Sequence, residues 1–177
     1  MKHNNKFRVF ILIAISILLI SCGTTQTAAE KIKQIEKEGI IDKQIENLEF
    51  KFLADFVYPI SYPSFSLSPY YNVIVSPDTI KSHLPYFGRA YRAPINTSES
   101  GLKFESTNFE SNVKKGEKEG LWHVTIRTRD AYRSITLFFN IWNNGTAQLN
   151  VSDQDRQPIS FSGTIEVEDL DKQKKPK

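Results

Sequence analysis

The chain contains one cysteine, Cys22, and only two histidines beyond the first ten residues, His83 and His123. These and the carboxylates are the side chains best suited to nucleophilic, acid-base or metal chemistry. A lone cysteine cannot close an intramolecular disulfide, and it leaves no cysteine-based zinc site. The two histidines have no second ligand at the i, i+2 or i, i+4 spacing a metal helix or strand uses, so no metal site and no cofactor is expected. No Gly-x-Ser-x-Gly elbow, phosphate-cradling loop or paired-histidine helix motif marks a nucleophile. Carboxylates such as Asp55, Asp130 and Asp153 remain, and two of them brought about 5 to 10 Å apart could hydrolyse a glycosidic bond. The residues by themselves therefore favour a module that is not an enzyme, with a carboxylate hydrolase acting on glycan or peptide as the alternative.

Cys22 has a more specific setting. Lys2, Lys6 and Arg8 precede an apolar run from Val9 to Ile20, which ends in Leu19-Ile20-Ser21-Cys22-Gly23. As a helix the run spans roughly 18 Å, short of the ~30 Å hydrocarbon core, and so reads as the core of a signal peptide over residues 1–21. The residues around Cys22 resemble the lipobox of bacterial lipoproteins. The resemblance implies that the thiol takes a diacylglyceryl group through a thioether and that the chain is cut just before it. Cys22 is then a lipidation site, and the membrane is a partner through its lipid. The stretch that follows, Gly23-Thr24-Thr25-Gln26, lacks the acidic export tag of some surface lipoproteins. The expected location is thus the outer membrane, facing the periplasm.

The formal charge of +3 comes from Lys2, Lys6 and Arg8, since the first 21 residues hold no acid. The remainder is neutral, which withdraws the electrostatic support for nucleic-acid binding. Its 12% aromatic content suffices for a packed core.

The elements that would position any site follow from periodicity. Residues 22–29 form a lipidated cysteine and polar tether. Residues 30–47 carry Ile32, Ile35, Ile41 and Ile45 at helical spacings, weakened by Gly39, and predict a helix whose last turns dock. From Leu48 the period becomes two, with Leu48, Phe50, Phe52, Ala54, Phe56, Tyr58 and Ile60 on one row. Further strands are expected at 71–75, 102–106, 121–129, 134–142, 146–151 and 158–166, with 114–120 as a loop. Residues 48–168 then form a mostly β domain, an antiparallel sandwich or open barrel of about seven strands preceded by one helix. Residues 169–177 are a lysine-rich tail.

One turn can be fixed by register. Ile135, Leu137, Phe139 and Ile141 form one apolar row and Ala147, Leu149 and Val151 the next. The two rows share a face only if Asn143-Asn144-Gly145 is a three-residue loop, which places Ile141 opposite Ala147 and Gly145 at positive φ.

The string Ser82-His83-Leu84-Pro85-Tyr86-Phe87-Gly88-Arg89-Ala90-Tyr91-Arg92-Ala93-Pro94 is the least ordinary in the chain. With Ser76-Pro77-Asp78-Thr79, Gly101-Leu102-Lys103-Phe104, Asn144-Gly145 and Arg156-Gln157-Pro158-Ile159-Ser160-Phe161, it resembles the Bacteroidetes lipoprotein family catalogued as domain of unknown function 4251. That resemblance implies an envelope lipoprotein without assigned activity and carries over no catalytic residue.

Pro85 fixes one φ and Gly88 is free to take positive φ, so the string predicts a rigid bend. It either presents Tyr86, Phe87, Arg89, Tyr91 and Arg92 as a binding platform or plugs one end of the core. His123 belongs to an outward row with Thr125, Arg127 and Arg129, a solvated face or one covered in an outer-membrane complex. Asp78-Thr79-Ile80 resembles the short acceptor for protein O-glycosylation in Bacteroidetes, with Thr79 as acceptor, and reads equally as a capped turn. The expected function is that of a membrane-tethered envelope lipoprotein whose domain binds or scaffolds an envelope protein or glycan. A hydrolase and a structural subunit of an outer-membrane complex are the alternatives.

Overall fold

A computed structural model describes residues 27–91, 101–129 and 134–167. The expected signal peptide, Cys22, Arg92, Asp130 and the lysine-rich tail lie outside the described residues. The chain divides into two units, residues 1–33 and 34–177.

In the first unit the described residues are the opening turns of helix α1 (Ala28–Glu46). The Thr27 amide donates to Glu30 Oε2 at 2.9 Å while Glu30 N donates to the Thr27 carbonyl. This reciprocal cap satisfies amides that the helix cannot, and the bond from Thr27 holds the Glu30 carboxyl below the usual range.

In the second unit the strands are β1 (Phe50–Tyr58), β2 (Phe65–Ser66), β3 (Asn72–Val75), β4 (Ile80–Pro85) and β5 (Gly101–Ser106). After them come β6 (Phe109–Lys115), β7 (Leu121–Thr128), β8 (Ile135–Trp142), β9 (Thr146–Asp153) and β10 (Arg156–Ile165). Nine of them form one antiparallel path in the order β5-β4-β3-β1-β10-β9-β8-β7-β6, with β2 paired on β1. Its first and last members, β5 and β6, are joined by Thr107 and Asn108 alone. A link that short holds the two edges of the sheet together, so the sheet curls into a nearly closed barrel. A barrel, not a sandwich, is therefore the form the mostly β expectation takes.

Inward residues alternate along most of the strands and form one core, with Phe52, Phe139, Phe161, Leu137 and Leu149 fully buried. The last turns of α1 lie across one mouth. Ile41 and Ile45 are completely buried, Trp122 Nε1 donates to Asp42 Oδ1 at 2.7 Å, and Asn143 donates to Glu38.

The Asn143-Asn144-Gly145 turn has the register expected: Ile141 pairs with Ala147, Phe139 with Leu149, and Gly145 has φ of 94°. The single apolar row expected along β1 is broken. Register shifts between Ala54 and Phe56, so Phe50, Phe52, Ala54 and then Val57 point inward, while Phe56 and Tyr58 turn outward. The cause lies across the ladder. A Cβ on Gly163 would sit 1.8 Å from the Leu53 carbonyl oxygen, an approach only glycine allows, and it lets β1 bulge at Asp55.

Three strands exceed the seven expected. In β4 the inward position between Ile80 and Leu84 is Ser82, whose hydroxyl donates to the Leu102 carbonyl at 2.7 Å, and this hides the alternation. Strand β6 rests only Phe109 and Val113, half-buried, against the core and so shows no clear hydrophobic period, and β2 has two residues.

Candidate functional site

The Leu84–Tyr91 segment closes the mouth opposite α1. Tyr86 and Phe87 are half-buried against the core, and Arg89 and Tyr91 are exposed. The segment is tied along the start of β10: Tyr91 N donates to the Asp155 carbonyl, Gln157 N to the Arg89 carbonyl, and Ala90 bridges Arg156. The Tyr86 hydroxyl lies 2.9 Å from the Arg89 carbonyl and 3.0 Å from that of Gln157. Burial pushes its pKa above the ordinary phenol value. Gly88 does not take positive φ, contrary to the expectation from sequence. A Cβ there would stand 2.6 Å from the Tyr86 hydroxyl, so a larger residue would move that hydroxyl away from its two carbonyl partners.

Beneath Tyr86 lies a polar interior that periodicity did not reveal. Arg156 and Asp153 are both buried, with Nε 3.9 Å from Oδ2. Arg156 Nη1 donates to the Gly101 carbonyl at 2.8 Å, and its guanidinium faces the Tyr86 ring. Asp153 thus points inward and Asp55 is exposed on the outer wall, so these two carboxylates face different environments. Phe87 stacks edge-on with Phe65.

The remaining sequence-predicted residues are dispersed. His83 stacks edge-on with Tyr71, and His123 Nδ1 lies 2.7 Å from Asn140 Oδ1 on the outer wall. Thr79 sits in the turn between β3 and β4, where its carbonyl accepts from Ser76 N. Among the described residues no three His, Cys, Asp or Glu side chains cluster as a metal site would need. No described helix is long and apolar enough to cross a membrane.

A different surface gathers recognition chemistry. The outward residues of β1, β10, β9 and β8 align into two rows across the barrel wall. Tyr58, Ser160, Asn150 and Phe138 form one; Phe56, Ser162, Gln148 and Asn140 form the other. A third, shorter row holds Thr164, Thr146 and Trp142. None of these side chains is charged. Elsewhere the wall has the usual solvated character, with Lys81 paired to Glu105 on β4 and β5 and Arg129 to Glu110 beside β6. The Arg129 bond holds the Glu110 carboxyl below its usual range. Phe56 is 44% exposed and Phe138 43%, although both belong to residue types that cores absorb.

The polar groups on this face partly organise one another. Tyr58 and Ser162 share a hydrogen bond of 3.0 Å, and Ser160 donates to Asn150 Oδ1 at 2.6 Å. Near the β1 bulge the wall dips into a hollow of about 630 Å³. Asp55, Phe56, Trp142, Asn144, Gln148 and Ser162 are among the residues that line it. Beyond β1 the neutral character continues: residues 56–77 contain no charged side chain, and Ile60, Tyr62 and Tyr70 of that segment are more than half exposed. Tyrosine and serine dominate it, the pair that gives binding loops rigid contact area and adaptable hydrogen bonds.

This face was missed in the sequence because its residues come from four strands that only the barrel brings together. The available signal was the absence of Lys and Glu at outward positions.

The chain belongs to the family described as Domain of unknown function (DUF4251), whose model matches residues 32–165. Its fold is similar to the crystal structure of a DUF4251 family protein from Bacteroides eggerthii DSM 20697. The TM-score is 0.55 at 9% identity, over 76% of this chain and 89% of that chain. At that identity the likeness concerns the fold. No curated protein matches.

Proposed function

We propose that this chain is a lipid-anchored envelope lipoprotein whose barrel is a non-catalytic binding module, engaging its ligand through the neutral aromatic face of β1 and β8–β10. The observation that carries the reading is that face: two rows of uncharged side chains with half-exposed phenylalanines, in a protein whose strands β4 to β6 carry charged pairs on their outer side. A solvated wall gains nothing from exposing those phenylalanines, whereas a binding surface uses aromatic anchors in an uncharged centre. The anchor rests on the Cys22 setting, and the periplasmic side of the outer membrane is its location.

Two arms test it in cells expressing the full chain. Metabolic labelling with a clickable fatty acid marks the wild type and not Cys22→Ala; undiminished label on the variant removes the anchor. A photo-crosslinking amino acid at position 58 captures a specific product that the same residue at position 89 does not. Equal capture at both positions, or none at 58, overturns the binding face.

A further inference from the structure

We infer that the hollow between Phe56 and Trp142 is a subsite for a neutral sugar, so that the ligand is an uncharged oligosaccharide. The inference rests on the binding reading above and adds the chemical class.

The volume, about 630 Å³, falls in the range of small-ligand sites and exceeds what a single ordered water or ion needs. The lining is mixed in a particular way. Two aromatic side chains, Phe56 and Trp142, share the lining with the amides of Gln148 and Asn144, the Ser162 hydroxyl and the Asp55 carboxylate. A pyranose has the matching duality: apolar C–H faces that pack on aromatic rings and an equator of hydroxyls that both donate and accept. Amides offer donor and acceptor side by side, and one carboxylate can accept from two adjacent hydroxyls.

Other ligand classes fit less well. An anionic sugar or a phosphate would call for lysine or arginine, and neither lines the hollow. A lipid chain would leave the amides and the carboxylate desolvated without partners. The Gln148 side chain makes no hydrogen bond among the described residues, and so its amide is free for a ligand. Asn144 is pre-set: its Oδ1 accepts from Thr146 N and Oγ1 at 2.9 and 2.8 Å, which fixes the amide and leaves its NH2 group to donate. Asp55 is the single carboxylate of the lining, so the hollow offers hydrogen bonds without the acid-base pair that would cut a glycosidic bond.

The test uses the full chain purified in detergent, with cellohexaose, mannohexaose, xylohexaose and maltohexaose as neutral probes and a polygalacturonate hexamer as the acidic one. Titrations follow tryptophan fluorescence and calorimetry. At least one neutral hexasaccharide is expected to bind saturably, with Trp142→Ala and Phe56→Ala each weakening it about tenfold or more. Gln148→Ala, which leaves both rings in place, is expected to weaken it several-fold, while Arg89→Ala on the opposite mouth has no effect. Unchanged thermal unfolding shows that each variant is folded. The inference is overturned if no neutral probe binds below about 10 mM, if the acidic probe binds as well as the best neutral one, or if affinity is indifferent to Phe56→Ala, Trp142→Ala and Gln148→Ala. Should crosslinks at position 58 persist while every sugar fails, the binding reading stands and the sugar inference alone falls.

Discussion

The ring of Tyr86 lies over the guanidinium of Arg156, with 5.0 Å between the ring centroid and Cζ. Arg156 is buried, so the aromatic face takes the place of part of its hydration, and Asp153 and the Gly101 carbonyl replace more of it. The LPYFG corner is in this sense the lid on a buried charge.

Tyr86→Phe keeps the ring over Arg156 and removes the hydroxyl shared by the Arg89 and Gln157 carbonyls; we expect a loss of about 1 kcal/mol in urea denaturation at pH 7. The pH dependence has a definite sign. Burial raises the phenol pKa in the folded state, so the neutral form favours folding. The stability advantage of wild type over Tyr86→Phe is therefore constant below about pH 10 and shrinks as pH rises through the raised value. An advantage that grows above pH 10 would contradict the assignment.

Gly145→Val is expected to cost about 2 kcal/mol. A β-branched residue resists a φ of 94°, and its Cβ would stand 3.2 Å from Ile41 Cδ1, pushing on the docked helix. Gly145→Asn, which tolerates left-handed backbone, should cost less in the same denaturation series. Equal costs would mean that crowding, not φ, makes glycine necessary there.

Gly163→Ala adds one methyl where the Leu53 carbonyl already stands, so the β1–β10 ladder must open at the bulge. We expect about 3 kcal/mol of destabilisation, accompanied by faster amide hydrogen exchange at Asp55 and Phe56. A neutral substitution would mean that the bulge does not depend on this approach.

Asp42→Ala removes the acceptor for the Trp122 indole at the helix mouth. A charge-assisted bond in a partly buried setting is worth about 1.5 to 3 kcal/mol, and its loss should appear as lower thermal stability. Exchange protection of the amides around Ile41 and Ile45 should fall with it, and retained protection there would show that the helix docks through its isoleucines alone.

The parts of this fold that sequence made legible are those in which one face is apolar and the other wet. In β7 the inward Trp122, Val124 and Ile126 alternate with His123 and Arg127, and the β8–β9 register followed from matching two such rows across a three-residue loop. Legibility failed where a polar residue occupies an inward position: Ser82 and Arg156 are satisfied by carbonyls distant in sequence, and Asp153 is buried beside Arg156 and accepts from the Asp155 amide. It failed again at the β1 bulge, since the residue that permits it, Gly163, lies on another strand. Of the corner residues, Tyr86 and Phe87 serve the core and Arg89 and Tyr91 face solvent, a division that residue type alone does not specify. The neutral face was invisible for a related reason: no single strand contains more than a few of its members.

The pairing of β1 with β10 joins the two ends of the barrel sequence, whereas the other ladders connect strands that are neighbours in the chain or separated by the short β2. Two meanders, β3 to β5 and β6 to β10, can therefore assemble from local turns, and barrel closure waits for the last strand to arrive. Until then β1 emerges from synthesis with Phe50 and Phe52 ready for the core and one hydrogen-bonding edge open. For that interval it is a sticky template for any other extended chain, and the polypeptide depends on holding factors, or on speed, to reach its C-terminus unpaired.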